Sequence, residues 1–224
     1  MTLSKEIIAA IGKFSSATLH EAMGRYGDLP SGIKPISPHM KVCGTAYPVK
    51  TMPCDNTILH RAYAYAKPGD VLVVTGPLGG SAAGLRLLRE GANDVAGLGA
   101  LHRRPLPRFA EGRAARRSHA HAMIDVSDGL SIDLHRLCDA SGVGFIVDTV
   151  PIHNGALRTE ALSGGEDFEL LIATDDVARL SDVFLSEGLR QPIVLGEVHA
   201  NPEVRRIEGV QDKPSGFVHE INER

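Results

Sequence analysis

Asp125-Val126-Ser127-Asp128-Gly129 sets two carboxylates and a hydroxyl within five consecutive residues. The stretch before it, Ala120 to Val126, is short and largely apolar, the pattern of a buried strand. After it Leu130, Leu134 and Leu137 recur at helical spacing, with Cys138 beside them. The acidic segment therefore falls at a strand-to-helix turn, where backbone N–H groups are unpaired and the helix dipole is positive. Such a turn can hold a hard cation through carboxylate oxygens, and the cation can hold phosphates in turn. Asp and Ser are also preferred helix caps, and taken alone capping is the commoner use of them.

A second acidic segment follows at Ser163-Gly164-Gly165-Glu166-Asp167-Phe168-Glu169-Leu170-Leu171. Its paired glycines allow a backbone to approach a ligand closely, and its acidic pair leads directly into an apolar strand. In this order, Asp-Val-Ser-Asp-Gly-Leu and Ser-Gly-Gly-Glu-Asp-Phe-Glu-Leu-Leu resemble the C-terminal domain of the thiamine-monophosphate kinase family. That family uses ATP and magnesium to convert thiamine monophosphate into thiamine diphosphate. Carried over residue by residue, the resemblance implies Asp125 and Asp128 as magnesium ligands, Ser127 as a nucleotide contact and Glu166 as a contact to the thiamine substrate. It assigns no catalytic residue.

The chain has 224 residues, enough for one large domain or two small ones with a real core. Its hydrophobic fraction is 43% and its formal net charge −3, which describes an ordinary globular protein and argues against a nucleic-acid binder. No apolar run reaches membrane-spanning length and no signal-peptide core is present at the N-terminus. Cys43, Cys54 and Cys138 are odd in number and widely spaced, which fits reduced thiols and a cytoplasmic location. Aromatic residues are only 4% and Trp is absent, so the core must rest on Val, Ile, Leu and Ala.

The first 74 residues carry other motifs. Apolar spacing predicts a helix over Leu3 to Phe14 with Ser4 as its cap, a second helix through Leu19 to Met23, and a strand from Lys41 to Val49. A helix is expected from Thr57 to Ala66 and a buried strand at Val71 to Val74, after the turn Lys67-Pro68-Gly69-Asp70. Ser-Ser-Ala-Thr-Leu-His-Glu-Ala-Met-Gly-Arg, Cys-Gly-Thr-Ala-Tyr-Pro-Val, Cys-Asp-Asn-Thr-Ile-Leu-His-Arg-Ala and Lys-Pro-Gly-Asp-Val-Leu-Val-Val resemble the regulator-of-ribonuclease-activity-A family. The nearest branch is its 4-hydroxy-4-methyl-2-oxoglutarate aldolases. In that family a Gly-rich pyruvate-binding loop and an Arg-Asp pair follow the strand. This chain has no Arg-Asp dipeptide, so aldolase activity is not expected of it.

The two resemblances meet at a strand of the same kind, near Gly69 to Thr75, which implies a fusion of two partial domains, 1–74 and 75–224. Thr75-Gly76-Pro77-Leu78-Gly79-Gly80 then opens a helix. Its N–H groups could cradle a phosphate, or its glycines could serve only close packing. The arginine-rich run from Leu101 to Arg117 reads as solvated or structural, and His119 and His121, which would share one face of a strand, as surface or core histidines. Val143 to Val147 is expected as a strand, Pro151 to Glu160 as a loop or short helix, and Ile193 to Leu195 as a strand. Asp175 to Leu189 is expected as a helix with Val177, Leu180, Phe184 and Leu185 on one face.

The fold class expected is α/β. A β/β/α swivelling-type N-terminal segment would join an α/β sandwich like the C-terminal domain of the thiamine-monophosphate kinase and aminoimidazole ribonucleotide synthetase type. The resemblance implies ATP and Mg2+ as cofactors, thiamine monophosphate as substrate and, since both families oligomerise, a homo-oligomer. In the kinase family an N-terminal domain supplies further magnesium-binding aspartates and much of the ATP site. Here an aldolase-like segment stands in that place, which implies binding with little turnover. The alternatives are a non-catalytic hybrid and a residual aldolase or ribonuclease-regulator function.

Overall fold

The computed structural model describes residues 4–11, 13, 22, 66–94 and 96–217. The chain divides into two compact units, Met1–Lys50 and Thr51–Arg224. In the first, helix α1 spans Lys5–Ile11. The Ser4 hydroxyl accepts from the Ile7 N–H at 3.4 Å, as expected of its cap. The helix through Leu19 to Met23, the strand at Lys41 to Val49, the helix from Thr57 and the β/β/α reading of this part lie outside the described residues, as do Cys43 and Cys54.

In the second unit the described residues form a mixed seven-stranded sheet in the order β2-β4-β1-β5-β3-β6-β7. The strands are β1 Val71–Val74, β2 Ala122–Val126, β3 Gly144–Val147, β4 Glu169–Thr174, β5 Ile193–His199, β6 Arg205–Ile207 and β7 Val210–Gln211. Only the β3–β6 pair is parallel among these. β1 lies between β4 and β5, with Val71 opposite Thr174 on one side and Glu197 on the other. The strand that both resemblances share is thus paired on both edges by the C-terminal part.

Six helices are described in this unit: α2 Gly80–Glu90, α3 Leu98–Arg103, α4 Phe109–Arg117, α5 Leu130–Ser141, α6 Arg158–Ser163 and α7 Val177–Ser186.

 

Two apolar layers cover the sheet, and strand alternation assigns each residue to one of them. Leu72 and Val74 of β1, and Leu171 and Ala173 of β4, face the layer built on Leu130, Leu134, Leu137 and Cys138 of α5. Val73 and Ile172 face the other layer, with Ala114 and Ala115 of α4 and Leu180 and Phe184 of α7. Each fully buried leucine of α5 contributes roughly 2 kcal/mol by leaving water. Gly142 ends α5 in the left-handed region, its N–H bonded back to Asp139 and Cys138 carbonyls.

Several expectations shift at their edges. Leu185 lies off the apolar face of α7, at 70% exposure, because Val183 and Leu189 complete that face instead. β2 begins only at Ala122, and His119 sits in a turn with φ 65°, so His119 and His121 do not share a strand face. His121 instead bonds the buried Asp70 at 2.8 Å. Among the described residues no helix is long and apolar enough to cross a membrane.

Candidate functional site

The turn after β2 is built from the inside by Asp133, a fully buried carboxylate in the first turn of α5. Its Oδ2 accepts the N–H groups of Ser127 and Asp128 at 3.0 Å each and of Gly129 at 3.3 Å. Three donors that a helix start leaves unpaired are thereby satisfied by one side chain. Burial pushes the Asp133 carboxyl above its ordinary range, with the N–H donors and Arg136 pulling it back only in part. Its Oδ1 takes a bond from Arg136 Nη1 at 2.7 Å, and the same nitrogen donates to Asp128 Oδ2.

The loop before β4 lies against this turn. Glu166 donates its N–H to the Ser127 carbonyl at 2.7 Å and Phe168 to the Val126 carbonyl at 2.9 Å. Contact is close: a Cβ on Gly165 would stand 2.6 Å from the Ser127 oxygen. Glu166 and Phe168 both hold positive φ, 68° and 51°. Non-glycine residues in that region cost energy and are kept only where the surroundings fix them. The two acidic segments are therefore one structure.

Within it, Asp125 sits near the end of β2 opposite Leu170, and by alternation it shares the face of Met123. Among the described residues its side chain has no hydrogen-bond or ion-pair partner. Ser127 is held through its backbone at both ends. The Asp128 carbonyl accepts the Phe217 N–H at 2.9 Å, so the C-terminal stretch Gly216-Phe217 reaches the same turn. Glu166 is 62% exposed and turns to a neighbouring cleft, with His102 at 3.9 Å. Arg108, Arg190, Asp167 and Glu169 also line that cleft, and Asp125, Ser127 and Asp128 do not.

The cleft holds residues that the motifs alone did not mark. Glu169, 6% exposed, takes Arg108 through both oxygens at 3.0 and 2.8 Å and Arg190 at 2.7 Å. Thr75 donates its hydroxyl to Glu169 at 2.5 Å. Arg108 is thus the member of the arginine-rich run that turns inward, for a structural purpose. Asp167 accepts from the Gly79 and Ser81 N–H groups at 2.6 and 3.0 Å, capping α2. Of the N–H groups that could have cradled a phosphate at the Thr75 to Gly80 turn, that of Gly79 is occupied by this carboxylate. The signal for it was in the sequence as the second member of the Glu166-Asp167 pair. Asp133 and Arg136 carried a weaker one, an aspartate in a first helical turn with a basic residue three positions on.

A family model described as AIR synthase related protein, C-terminal domain, matches residues 67–208. This chain belongs to that family. A second model, Aldolase/RraA, matches residues 16–98, so the two matches overlap across β1 and α2. The AIR-synthase-related part is similar to curated thiamine-monophosphate kinases. That of Halobacterium salinarum is 41% identical over 167 residues, covering 69% of this chain and 54% of the relative. That of Salmonella typhimurium is 41% identical over 129 residues, 51% of this chain and 39% of the relative. Among solved structures, thiamine-monophosphate kinase from Stenotrophomonas maltophilia K279a superposes with a TM-score of 0.59 at 32% identity, covering 66% of this chain and 53% of the other. AaThiL complexed with AMPPCP and TMP gives 0.58 at 28% identity, covering 68% of this chain and 52% of the other. The chain spans between about four-tenths and just over half the length of these relatives.

Magnesium is the metal this kinship implies. Among the described residues no three His, Cys, Asp or Glu side chains are grouped to hold a metal. The donor set nevertheless fits this ion, which is usually bound through one or two carboxylates and completed by waters and phosphate oxygens. Asp125 and Asp128 are the two carboxylates available, and Asp128 is shared with Arg136.

Proposed function

We propose that this chain carries one face of a phosphoryl-transfer site for ATP- and magnesium-dependent phosphorylation of thiamine monophosphate to thiamine diphosphate. In this reading the chain binds metal and ligand, and turnover needs positioning groups beyond those described. The observation that carries it is the pair of backbone bonds joining the Glu166 loop to the Ser127 turn. They join the turn read here as metal-binding to the loop that carries the carboxylate read here as substrate-binding, which supports the reading.

Each side chain has a distinct role. Asp125 and Asp128 would hold magnesium, and Ser127 offers a hydroxyl to the nucleotide. Glu166, exposed at the cleft, can accept a hydrogen bond from an aminopyrimidine. Magnesium held by the two aspartates would supply neutralisation of the charge that develops on the phosphate in the transfer. Phosphoryl transfer depends on such positioning, and each tenfold of rate corresponds to only about 1.4 kcal/mol. The loss of a few contacts therefore separates an enzyme from a binder. The division at residue 74, the cytoplasmic location and homo-oligomerisation belong to the same proposal.

Titration calorimetry with ATP and Mg2+, with and without thiamine monophosphate, tests it. Magnesium-dependent binding that disappears in Asp125→Asn, with the melting temperature nearly unchanged, is the expected result. A cooperatively melting protein that binds neither ligand would overturn the reading and leave a non-catalytic hybrid. The aldolase match to residues 16–98 favours a second reading, divalent-metal-dependent cleavage of a 2-oxo acid. With no Arg-Asp dipeptide in the chain, no pyruvate release from oxaloacetate is expected.

A further inference from the structure

The geometry of α5 points to a role for a residue that the kinship leaves unassigned. We propose that Arg136 is an internal counter-cation, a positioning residue that occupies the Asp128 carboxylate until a divalent cation takes it. Asp133 is the second anchor that keeps the guanidinium paired afterwards. The inference rests on the reading of Asp128 as a metal ligand.

Two observations carry it. One nitrogen of Arg136 serves both Asp128 and Asp133, so the same group can leave the first carboxylate without losing the second. The two anchors differ in burial: the side chain of Asp133 is 0% exposed and that of Asp128 is 16%. Asp133 is also fixed by three N–H donors and cannot follow a departing guanidinium. Asp128 is the anchor nearer to water and the one a cation from solvent can reach. Arginine keeps its proton at any working pH, so this competition cannot be titrated away. The cation and the guanidinium exclude each other at Asp128, while Asp133 saves Arg136 from being stranded beside a metal.

Mn2+ in place of magnesium, followed by electron paramagnetic resonance on the whole chain, reads this without any catalytic assay. Arg136→Gln should bind Mn2+ about tenfold more tightly than the wild type, on the order of one part-buried ion pair. Arg136→Lys, which restores a cation, should return affinity to near the wild-type value. Asp128→Asn should abolish binding in either background. Unchanged or weaker binding by Arg136→Gln, with Asp128 dependence retained, overturns the counter-cation and leaves the metal site standing. Binding that ignores Asp128 overturns both. A readout free of variants at Arg136 is its guanidinium 15N signal in the wild type. It should shift on adding Mg2+ and stay still in Asp128→Asn, and a signal that ignores Mg2+ while Mn2+ binds at Asp128 would count against the proposal.

Discussion

Asp167 shows what a single carboxylate does in this site. It ties the loop after Gly165 to the start of α2 through two N–H groups, and burial pushes its pKa above the ordinary aspartate range despite them. A carboxyl with a higher pKa in the folded state holds its proton more tightly there. Its contribution to stability is therefore largest in acid and declines as pH rises from the ordinary value of 3.8 through the raised one. Urea midpoints of the wild type and Asp167→Asn, taken from about pH 3 to 7, should show the wild type losing ground to the variant across that window. A constant difference would contradict the assignment. At this scale the sequence was legible where residues stand in a motif: Asp125, Ser127, Asp128 and Glu166 fall on one joined turn and loop. Asp133 and Glu169 were not. Their value comes from donors brought by backbone turns and by arginines far along the chain, and no spacing rule encodes those partners.

Among the elements, the contact of turn on loop is the most exacting. Gly129 holds φ 126°, and a Cβ there would lie 2.9 Å from both the Leu162 oxygen and the Ser163 Cα. Gly129→Ala should therefore lower stability by about 2–4 kcal/mol, from backbone strain and from separation of the two acidic segments. Equilibrium urea unfolding checks the size, and a change below about 1 kcal/mol would show that the contact can relax. The regular elements were legible to different degrees. α5 and β1 are marked by uninterrupted apolar spacing, and both occur where that spacing predicts. β5 runs on to His199, past the apolar Ile193-Val194-Leu195, because pairing with β3 extends it through Gly196 and Glu197. β6 and β7 are too short for any periodicity and exist only because they pair with their neighbours.

For the molecule, one thiol reports on the whole of its larger apolar layer. Cys138 is fully buried there, and burial pushes its pKa up to about 12. In a chain carrying Cys43→Ser and Cys54→Ser, the remaining thiol should react with a disulfide reagent at neutral pH only as fast as the protein unfolds. Rapid labelling under native conditions would mean that α5 opens locally. The family was legible at this scale because two motifs keep their order. The point of union was harder to place, since β1 satisfies both patterns.

The position of β1 in the sheet also governs the order of events during synthesis. Val71 leaves the ribosome long before Thr174 and Glu197, the residues it will face across the two neighbouring strands. Leu72, Val73 and Val74, all inaccessible to water in the finished sheet, must wait for loops of roughly a hundred residues to close on either side. The nascent chain therefore carries this apolar strand without its two described neighbours while roughly a hundred further residues are made, and β4 and β5 must close on it afterwards.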